Sequence, residues 1–497
     1  MNLSKTDYGF LLVASLSLVL SLCYIPAYNV LCGDKEVYRY VGRVILEGGV
    51  PYRDVFDHKP PLIFFLNYLV LGLGGDWAQW TIDTLLVLAV SGLFFQLGKR
   101  YRLAFPWLLP VLFNLMIRDY VMCLGMGMTR EYTAVFFLAF FCVLMGKRRY
   151  RYYFLGVLSG LIFFMQQDQV LALIPLFIYS ILPQEDAAPV GARILRIATG
   201  FLTVALPVVL YFAWHGALAY FWQDAFLFNL GWYTTTLKES FGDHLRKMKL
   251  VLDEGWYEVA FMAATILGVC SLFFRNRNKR LVLACLAAVA LSVIPEFLGG
   301  RDVVSNASQL TFTHYYLPLS ASLCILLFVV FAFAEEPVLR GWKAQAIYGV
   351  LILTSLSYSA LRYGTHLPLL RKDLDLDVPE LNYLREHRPQ DRQLFVFGNT
   401  NLVYAYNMLG ITGPSKWVYQ HFYFLYDNWD GDHAILRSVM GDLLRYRTVY
   451  VLDYSTSPYN SYRDPEVLSL WRAFLAEHYQ QVAMPGGGGS RLWKINN

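Results

Sequence analysis

Long apolar runs separated by short charged clusters fill the chain from residue 9 to residue 361, and the pattern then changes. Runs at about 9–31, 77–97, 104–122, 132–146, 152–166, 170–183, 197–214, 256–274, 281–298, 316–334 and 345–361 predict membrane-spanning helices. The two at 152–166 and 170–183 are short for a bilayer and call for a thinned membrane or covering neighbours. No small-residue cleavage signal follows the first run, so it predicts a retained helix rather than a signal peptide. A further apolar piece, Pro61–Leu73, ends at Gly74-Gly75. It falls short of the ~20 residues a span needs, and predicts a segment in or near the interface.

Beyond residue 362 the charge is mixed and the apolar runs are short. Gln393–Phe397 and Thr448–Leu452 read as buried strands, and Asp464–Tyr479 has helical spacing with Pro465 suited to a first turn. Gly486–Ser490 ahead of Arg491–Ile495 reads as a hairpin connection or a loop tip. The predicted fold class is mainly α: a polytopic membrane protein of about eleven transmembrane helices over 1–361, with a C-terminal extracytoplasmic α/β domain over 362–497. There is no internal repeat and no pair of matched halves of the kind many secondary transporters carry.

Composition agrees: 56% apolar and 16% charged residues over 497 positions is too apolar for an ordinary soluble enzyme. The net charge of +5 is scattered in short clusters rather than gathered in a stripe, which argues against a nucleic-acid partner. When the spans alternate, Lys99–Arg102, Lys147–Arg151, Arg193 with Arg196, and Arg275–Arg280 all fall on one side, which the positive-inside rule makes cytoplasmic. The N-terminus is then cytoplasmic, loops 32–76, 118–131, 215–255 and 299–315 lie outside, and the tail is extracytoplasmic. None of the seven cysteines lies beyond Cys324, which argues against a disulfide-stapled outer domain. Cys32 and Cys123 fall near the same outer surface and read as small buried hydrophobes.

Acid and base gather in one polar stretch after the first span, from Gly33-Asp34-Lys35-Glu36 to Asp57-His58-Lys59-Pro60-Pro61-Leu62. Asp34 sits where a carboxylate meets a cavity mouth without burial in lipid; it fits a general base or a cap on a helix from Lys35 to Leu46. Lys59 fits a phosphate contact or an interfacial lysine that snorkels. Arg301 fits a ligand contact or a pair with Asp302, and His314 a site residue or part of an aromatic belt with Tyr315 and Tyr316. Asp57 and His58 can position an acceptor or a divalent cation, although a closed metal site needs further ligands. Arg130, Glu131 and Asp168 have both structural and substrate readings, as has Asp119, for which pairing with Arg118 is the structural one. The aromatic residues around 214–233 read as belt or core, or as a platform for a carrier lipid or sugar.

The stretch from Asp34 to Leu62, with its Gly-x-Pro-Tyr-Arg-Asp and Asp-x-Lys-Pro-Pro-Leu pieces, resembles the first outer loop of the type-C glycosyltransferases (GT-C). The resemblance is to the bacterial branch that includes protein O-mannosyltransferases and the lipid A aminoarabinose transferase. It extends more loosely to Thr129-Arg130-Glu131, to His314–Pro318 and to the Phe395–Gly398 strand and turn. It implies transfer, with inversion, of a sugar from a polyprenyl-phosphate donor to a lipid-linked, glycan or protein acceptor at the outer face of a bacterial inner membrane. Asp34 with Glu36 would be the catalytic carboxylates. Lys59, Arg301 and His314 would hold the donor phosphate, and Asp57, His58, Arg130, Glu131, Tyr315 and Asp168 would contact substrate. No cofactor is implied with certainty; a divalent cation is the one candidate. The sequence departs from the family at Lys35, where an Asp-Glu pair is common, and at Gln166 or Gln167, where the family often has Lys. Two other classes meet the span count: a polysaccharide ligase or polymerase using a polyprenyl-diphosphate-linked glycan and a large late loop, and a non-enzymatic lipid or glycan transporter. The first leaves the Asp34 stretch without a purpose. The second calls for mid-membrane charges and paired halves.

Overall fold

The structure, a computed structural model, describes residues 5–26, 33–118, 126–146, 150–182, 189–233, 276–298, 317–333, 379–398, 403–418, 433–455, 465–483 and 491–496. Along the chain these form α1 (Lys5–Leu22), α2 (Gly33–Leu46), α3 (Leu62–Leu73), α4 (Asp76–Arg100), α5 (Leu108–Ile117), α6 (Thr129–Leu144) and α7 (Arg151–Met165). A 3-10 segment (Gln167–Leu173) leads into α8 (Ile174–Ile181), followed by α9 (Val190–Trp214), α10 (Leu218–Trp222), α11 (Lys279–Leu298) and α12 (Leu317–Ala332). The C-terminal part contains α13 (Pro379–His387), β1 (Leu394–Phe397), α14 (Val403–Leu409), α15 (Ala434–Arg445), β2 (Tyr450–Asp453), α16 (Pro465–His478), β3 (Tyr479–Gln481) and β4 (Arg491–Ile495). The chain is mainly helical, and it divides into two compact units.

The first unit takes in 1–29, 77–210 and 237–369. Its helices are apolar nearly all round because their neighbours are apolar too. Val87, Phe94, Leu109, Phe113, Leu138, Phe141, Leu323 and Phe328 belong to one buried core, in which the Phe328 ring meets Phe94, Phe141 and Tyr101 at 5.5–5.7 Å. Backbones approach closely between α7 and α9. A Cβ on Gly156 would stand 1.9 Å from the Ile197 carbonyl oxygen, and one on Gly200 would stand 2.0 Å from that of Tyr153. Asp76–Arg100 and Val190–Trp214 are the helices long and apolar enough to cross a membrane among the described residues.

Several boundaries differ from the sequence reading. α9 starts at Val190 rather than near 197, which puts Arg193 inside it. The Arg193 guanidinium is buried and donates to the Leu182 carbonyl at 2.9 Å and that of Ser180 at 3.4 Å, so this cation serves the end of α8, where orphan carbonyls need donors. The run at 170–183 is a 3-10 segment followed by a helix of eight residues. Among the described residues of the run at 104–122, α5 covers Leu108–Ile117. The runs at 256–274 and 345–361 lie outside the described residues.

The second unit takes in 30–76, 211–236 and 370–497. Its four-stranded sheet has the order β1-β2-β4-β3, with β1 and β2 parallel and the other pairs antiparallel. The strands and helix read from Gln393–Phe397, Thr448–Leu452 and Asp464–Tyr479 form within a residue or two of those limits. The antiparallel β3–β4 pair fits the hairpin reading, while the Gly486–Ser490 connection lies outside the described residues. Trp471 of α16 stacks on Phe397 of β1 at 3.9 Å and closes the core with Phe395, Leu443, Val451 and Leu475. α2 and α3 touch at Gly42, where a Cβ would come within 2.8 Å of the backbone at Asn67. Tyr40 of α2 meets the Tyr406 ring at 5.2 Å and donates nothing there; its hydroxyl accepts the Gly413 N–H at 2.8 Å.

Candidate active site

In the second unit, α2 begins at Gly33, so Asp34 and Glu36 lie in its first turn, where the positive end of the helix dipole favours a carboxylate. Asp34 therefore is not a cap on a helix starting at Lys35. It is half-buried, and the Tyr38 hydroxyl one turn on donates to its Oδ2 at 3.3 Å. Glu36 is buried, and its carboxylate accepts from Asn407 Nδ2 at 2.7 Å.

The polar end of the same loop is buried as well. Asp57 Oδ1 accepts the backbone N–H groups of His58 at 2.6 Å and Lys59 at 3.0 Å, an Asx turn that fixes the loop's direction. Its Oδ2 is buried and, among the described residues, takes no hydrogen bond. His58 Nδ1 lies 3.3 Å from Asp57 Oδ1. Burial, only partly offset by Asp57, holds the imidazole below its usual pKa, which keeps it neutral at neutral pH. Lys59 is 8% exposed, and among the described residues its ammonium makes no ion pair. The Lys59 carbonyl accepts from the Tyr52 hydroxyl at 2.6 Å, and the His58 carbonyl from Asn229 Nδ2 at 2.7 Å. Tyr52 adopts φ +67° and is enclosed by Phe64, Phe212 and Phe221, so packing holds a backbone conformation that a tyrosine rarely takes. Asp224 pairs with Lys416 at 2.8 Å, and burial pushes its carboxyl up to about 6.

A separate polar cluster is buried in the first unit. Glu131, in the first turn of α6, binds the Arg118 guanidinium and accepts the Gly127 N–H at 2.9 Å. Arg118 also donates to the Asp83 carbonyl at 3.3 Å, and its own carbonyl accepts from the Tyr24 hydroxyl at 2.8 Å. Asp83 in turn accepts from Gln79 at 3.0 Å and from Tyr132. Arg130 lies 3.7 Å from Asp168, which accepts from Gln166 at 2.6 Å and Gln169 at 3.1 Å; Thr129 donates to Gln166 at 2.8 Å. Thus Arg118 pairs with Glu131, while Asp119 lies outside the described residues.

Arg301, His314 and Tyr315 lie outside the described residues, as do Cys32 and Cys123. For a divalent cation, Asp57 and His58 are the sequence candidates, but among the described residues no three His, Cys, Asp or Glu side chains converge as a metal-holding group. Sequence reasoning missed Asp83, Asp224, Asn407 and Lys416. Asp83 had a signal, as an acidic residue within the apolar run at 77–97, where a carboxylate needs a partner.

No protein-family model matches the chain, and no curated protein is significantly similar to it. Among solved structures, it matches the crystal structure of ArnT from Cupriavidus metallidurans bound to undecaprenyl phosphate, with a TM-score of 0.61 at 13% identity over 99% of this chain and 98% of that one. ArnT of the same organism in the apo state matches over the same shares, with a TM-score of 0.55 at 12% identity. Nearly from end to end, then, the chain has the fold of ArnT, and the stretch from Asp34 to Leu62 resembles the same branch of glycosyltransferases.

Proposed function

We propose that the protein is a membrane glycosyltransferase of the GT-C type that moves a sugar from a polyprenyl-phosphate carrier to an acceptor at the extracytoplasmic face. The observation that carries this reading is the likeness of fold over 99% of the chain to a protein whose structure holds undecaprenyl phosphate. Two features of the chain support it. α9 leaves Leu195, Leu202, Leu206 and Leu210 exposed along an apolar helix of 25 residues, a surface that suits lipid. The first loop brings carboxylates, a neutral imidazole and a buried ammonium into one compact unit.

In this reading Asp34 takes the proton from the acceptor as its oxygen or nitrogen attacks the anomeric carbon. The glycosidic C–O bond to phosphate breaks on the opposite side, giving inversion. The leaving phosphate gains negative charge as that bond breaks, so a cation already in place stabilises the transition state more than the ground state. Lys59 supplies such a cation from the same loop, and its shielding from water strengthens the interaction. Asp57 Oδ2, which lacks a hydrogen bond among the described residues, suits a sugar hydroxyl.

The test uses purified full-length protein with undecaprenyl phosphate as the binding probe and a polyprenyl-phosphate-linked sugar for transfer. Asp34→Asn should lower transfer by about 10²–10⁴-fold while retaining binding, and Lys59→Ala should weaken binding. Retained transfer in Asp34→Asn would remove the base assignment. Failure of the wild-type chain to bind the carrier would remove the reading as a whole.

A further inference from the structure

The loop that carries Asp57, His58 and Lys59 is gripped from two other parts of the second unit. The Lys416 carbonyl accepts the Phe56 N–H at 2.9 Å, and the Lys416 ammonium reaches Asp224 at 2.8 Å. That ammonium lies 5.0 Å from the centre of the Trp417 ring, 5.1 Å from Tyr220 and 6.0 Å from Phe56, close enough for cation–π attraction. Residues 223–227 and 229–233 form π-helical turns. Their i→i+5 bonding brings Asp224 and Asn229 into line along one face, so the same face meets Lys416 and the His58 carbonyl. Phe228, between them, lies against both Phe56 and His58, at 5.4 and 5.9 Å.

We propose that Lys416 is a positioning residue of the reaction centre: clamped by Asp224 and the surrounding rings, it fixes the Phe56–Lys59 backbone and so places the Lys59 ammonium and the Asp57 carboxylate for substrate. The proposal rests on the role given above to the first loop. Its physical ground is that the clamp is a poor way to gain stability. Among the described residues, Lys416 and Asp57 are the charged groups acting on Asp224, and burial still holds its carboxyl up at about 6, so the cost of desolvation exceeds the attraction of the lysine. An apolar pair would fill the same space at lower cost. It would lack the directional bond that sets where the Lys416 backbone, and with it Phe56, must lie.

Full-length wild-type protein, Lys416→Met, Lys416→Arg and Asp224→Asn decide the matter through hydrogen–deuterium exchange, undecaprenyl phosphate binding and thermal stability. In Lys416→Met and Asp224→Asn, exchange over residues 53–60 should rise about tenfold with exchange over 443–453 unchanged. Carrier affinity should fall about tenfold, as expected when one charge-assisted contact is misplaced. Lys416→Arg should restore both, and Asp224→Asn should show these losses without a lower Tm. Unchanged exchange over 53–60 in both variants would overturn the proposal, and so would an equal rise across 53–60 and 443–453 in both. If the wild-type chain fails to bind undecaprenyl phosphate, the functional reading falls and the exchange result alone decides whether Lys416 places the loop.

Discussion

Asn407 donates from one amide nitrogen to both the backbone carbonyl and the carboxylate of Glu36, at 2.8 and 2.7 Å, so a C-terminal helix holds the first turn of α2. Glu36 is 5% exposed. Asn407→Ala leaves its carboxylate buried without that donor, a loss of about 1–3 kcal/mol that thermal or denaturant unfolding should register. Asn407→Asp should be worse, because it sets a second carboxylate against the first.

The same bond separates the roles of the two acids in the first turn. Glu36 is committed to Asn407, whereas Asp34 is half-buried and meets the hydroxyl of Tyr38 at 3.3 Å. If Asp34 is the base, Asp34→Asn lowers kcat by about 10²–10⁴-fold, the usual contribution of a positioned base. Glu36→Gln keeps an acceptor oxygen for Asn407 and should lower kcat less than about tenfold. Comparable losses in the two variants, measured with the same donor and acceptor, would place the base elsewhere.

What the sequence made legible follows from locality. Apolar runs marked α4, α6, α7 and α12, and Pro465 with its following periodicity marked α16, because the signal for each lies within the element itself. The polar stretch from Asp34 to Leu62 was legible as a candidate site for the same reason. What stayed hidden depends on distant partners. Glu36 and Asn407 are 371 residues apart, and Asp224 and Lys416 are 192 apart, so no spacing rule joins them. The start of α9 at Val190 is not marked in the sequence, because a cation at Arg193 suits a loop, whereas here its charge serves carbonyls at the end of α8. Of the two roles that the sequence offers Asp34, the cap depends on a helix starting at Lys35, and the helix begins earlier, at Gly33.

Asp224 makes stability depend on pH. Its carboxyl is pushed up to about 6 from its ordinary 3.8, first by burial and against the pull of Lys416. The folded chain therefore holds this proton more tightly than the unfolded chain. The resulting stability is fully present below the unfolded pKa and is lost as pH rises through about 6. The shift corresponds to at most about 3 kcal/mol between pH 4 and pH 7. Asp224→Asn cannot titrate, so its Tm should fall less than that of wild type across the same range. A wild-type and variant difference that does not change with pH would contradict this assignment.

Arg118 and Glu131 form a pair with side chains 0% and 2% exposed. Glu131→Leu leaves the guanidinium buried without this carboxylate and should cost about 3–5 kcal/mol. The double variant Arg118→Met with Glu131→Leu removes both charges and should recover part of that loss. Recovery in the double variant, read from Tm, distinguishes a buried ion pair from two residues needed independently.

The close approach of α7 and α9 is a demanding packing feature of the first unit. Carbonyl oxygens of Ile197 and Tyr153 occupy the places where side chains on Gly156 and Gly200 would begin, at 1.9 and 2.0 Å. Small residues let helices in a membrane approach until their backbones touch, and dispersion then replaces the missing hydrophobic drive. A methyl group at either position must move a helix axis, since the obstructing atoms belong to backbone and have no rotamer to change. Gly156→Ala and Gly200→Ala should each cost about 1–3 kcal/mol, the usual penalty for overpacking. Gly191, on the same α9, has no heavy atom within 4 Å of an added Cβ. Gly191→Ala should therefore be neutral or add up to about 1 kcal/mol through helix propensity. The comparison separates crowding from propensity, because all three substitutions place alanine in a helix and only two of them meet a carbonyl. Equal Tm values for the three variants would show that α7 and α9 are not in this contact.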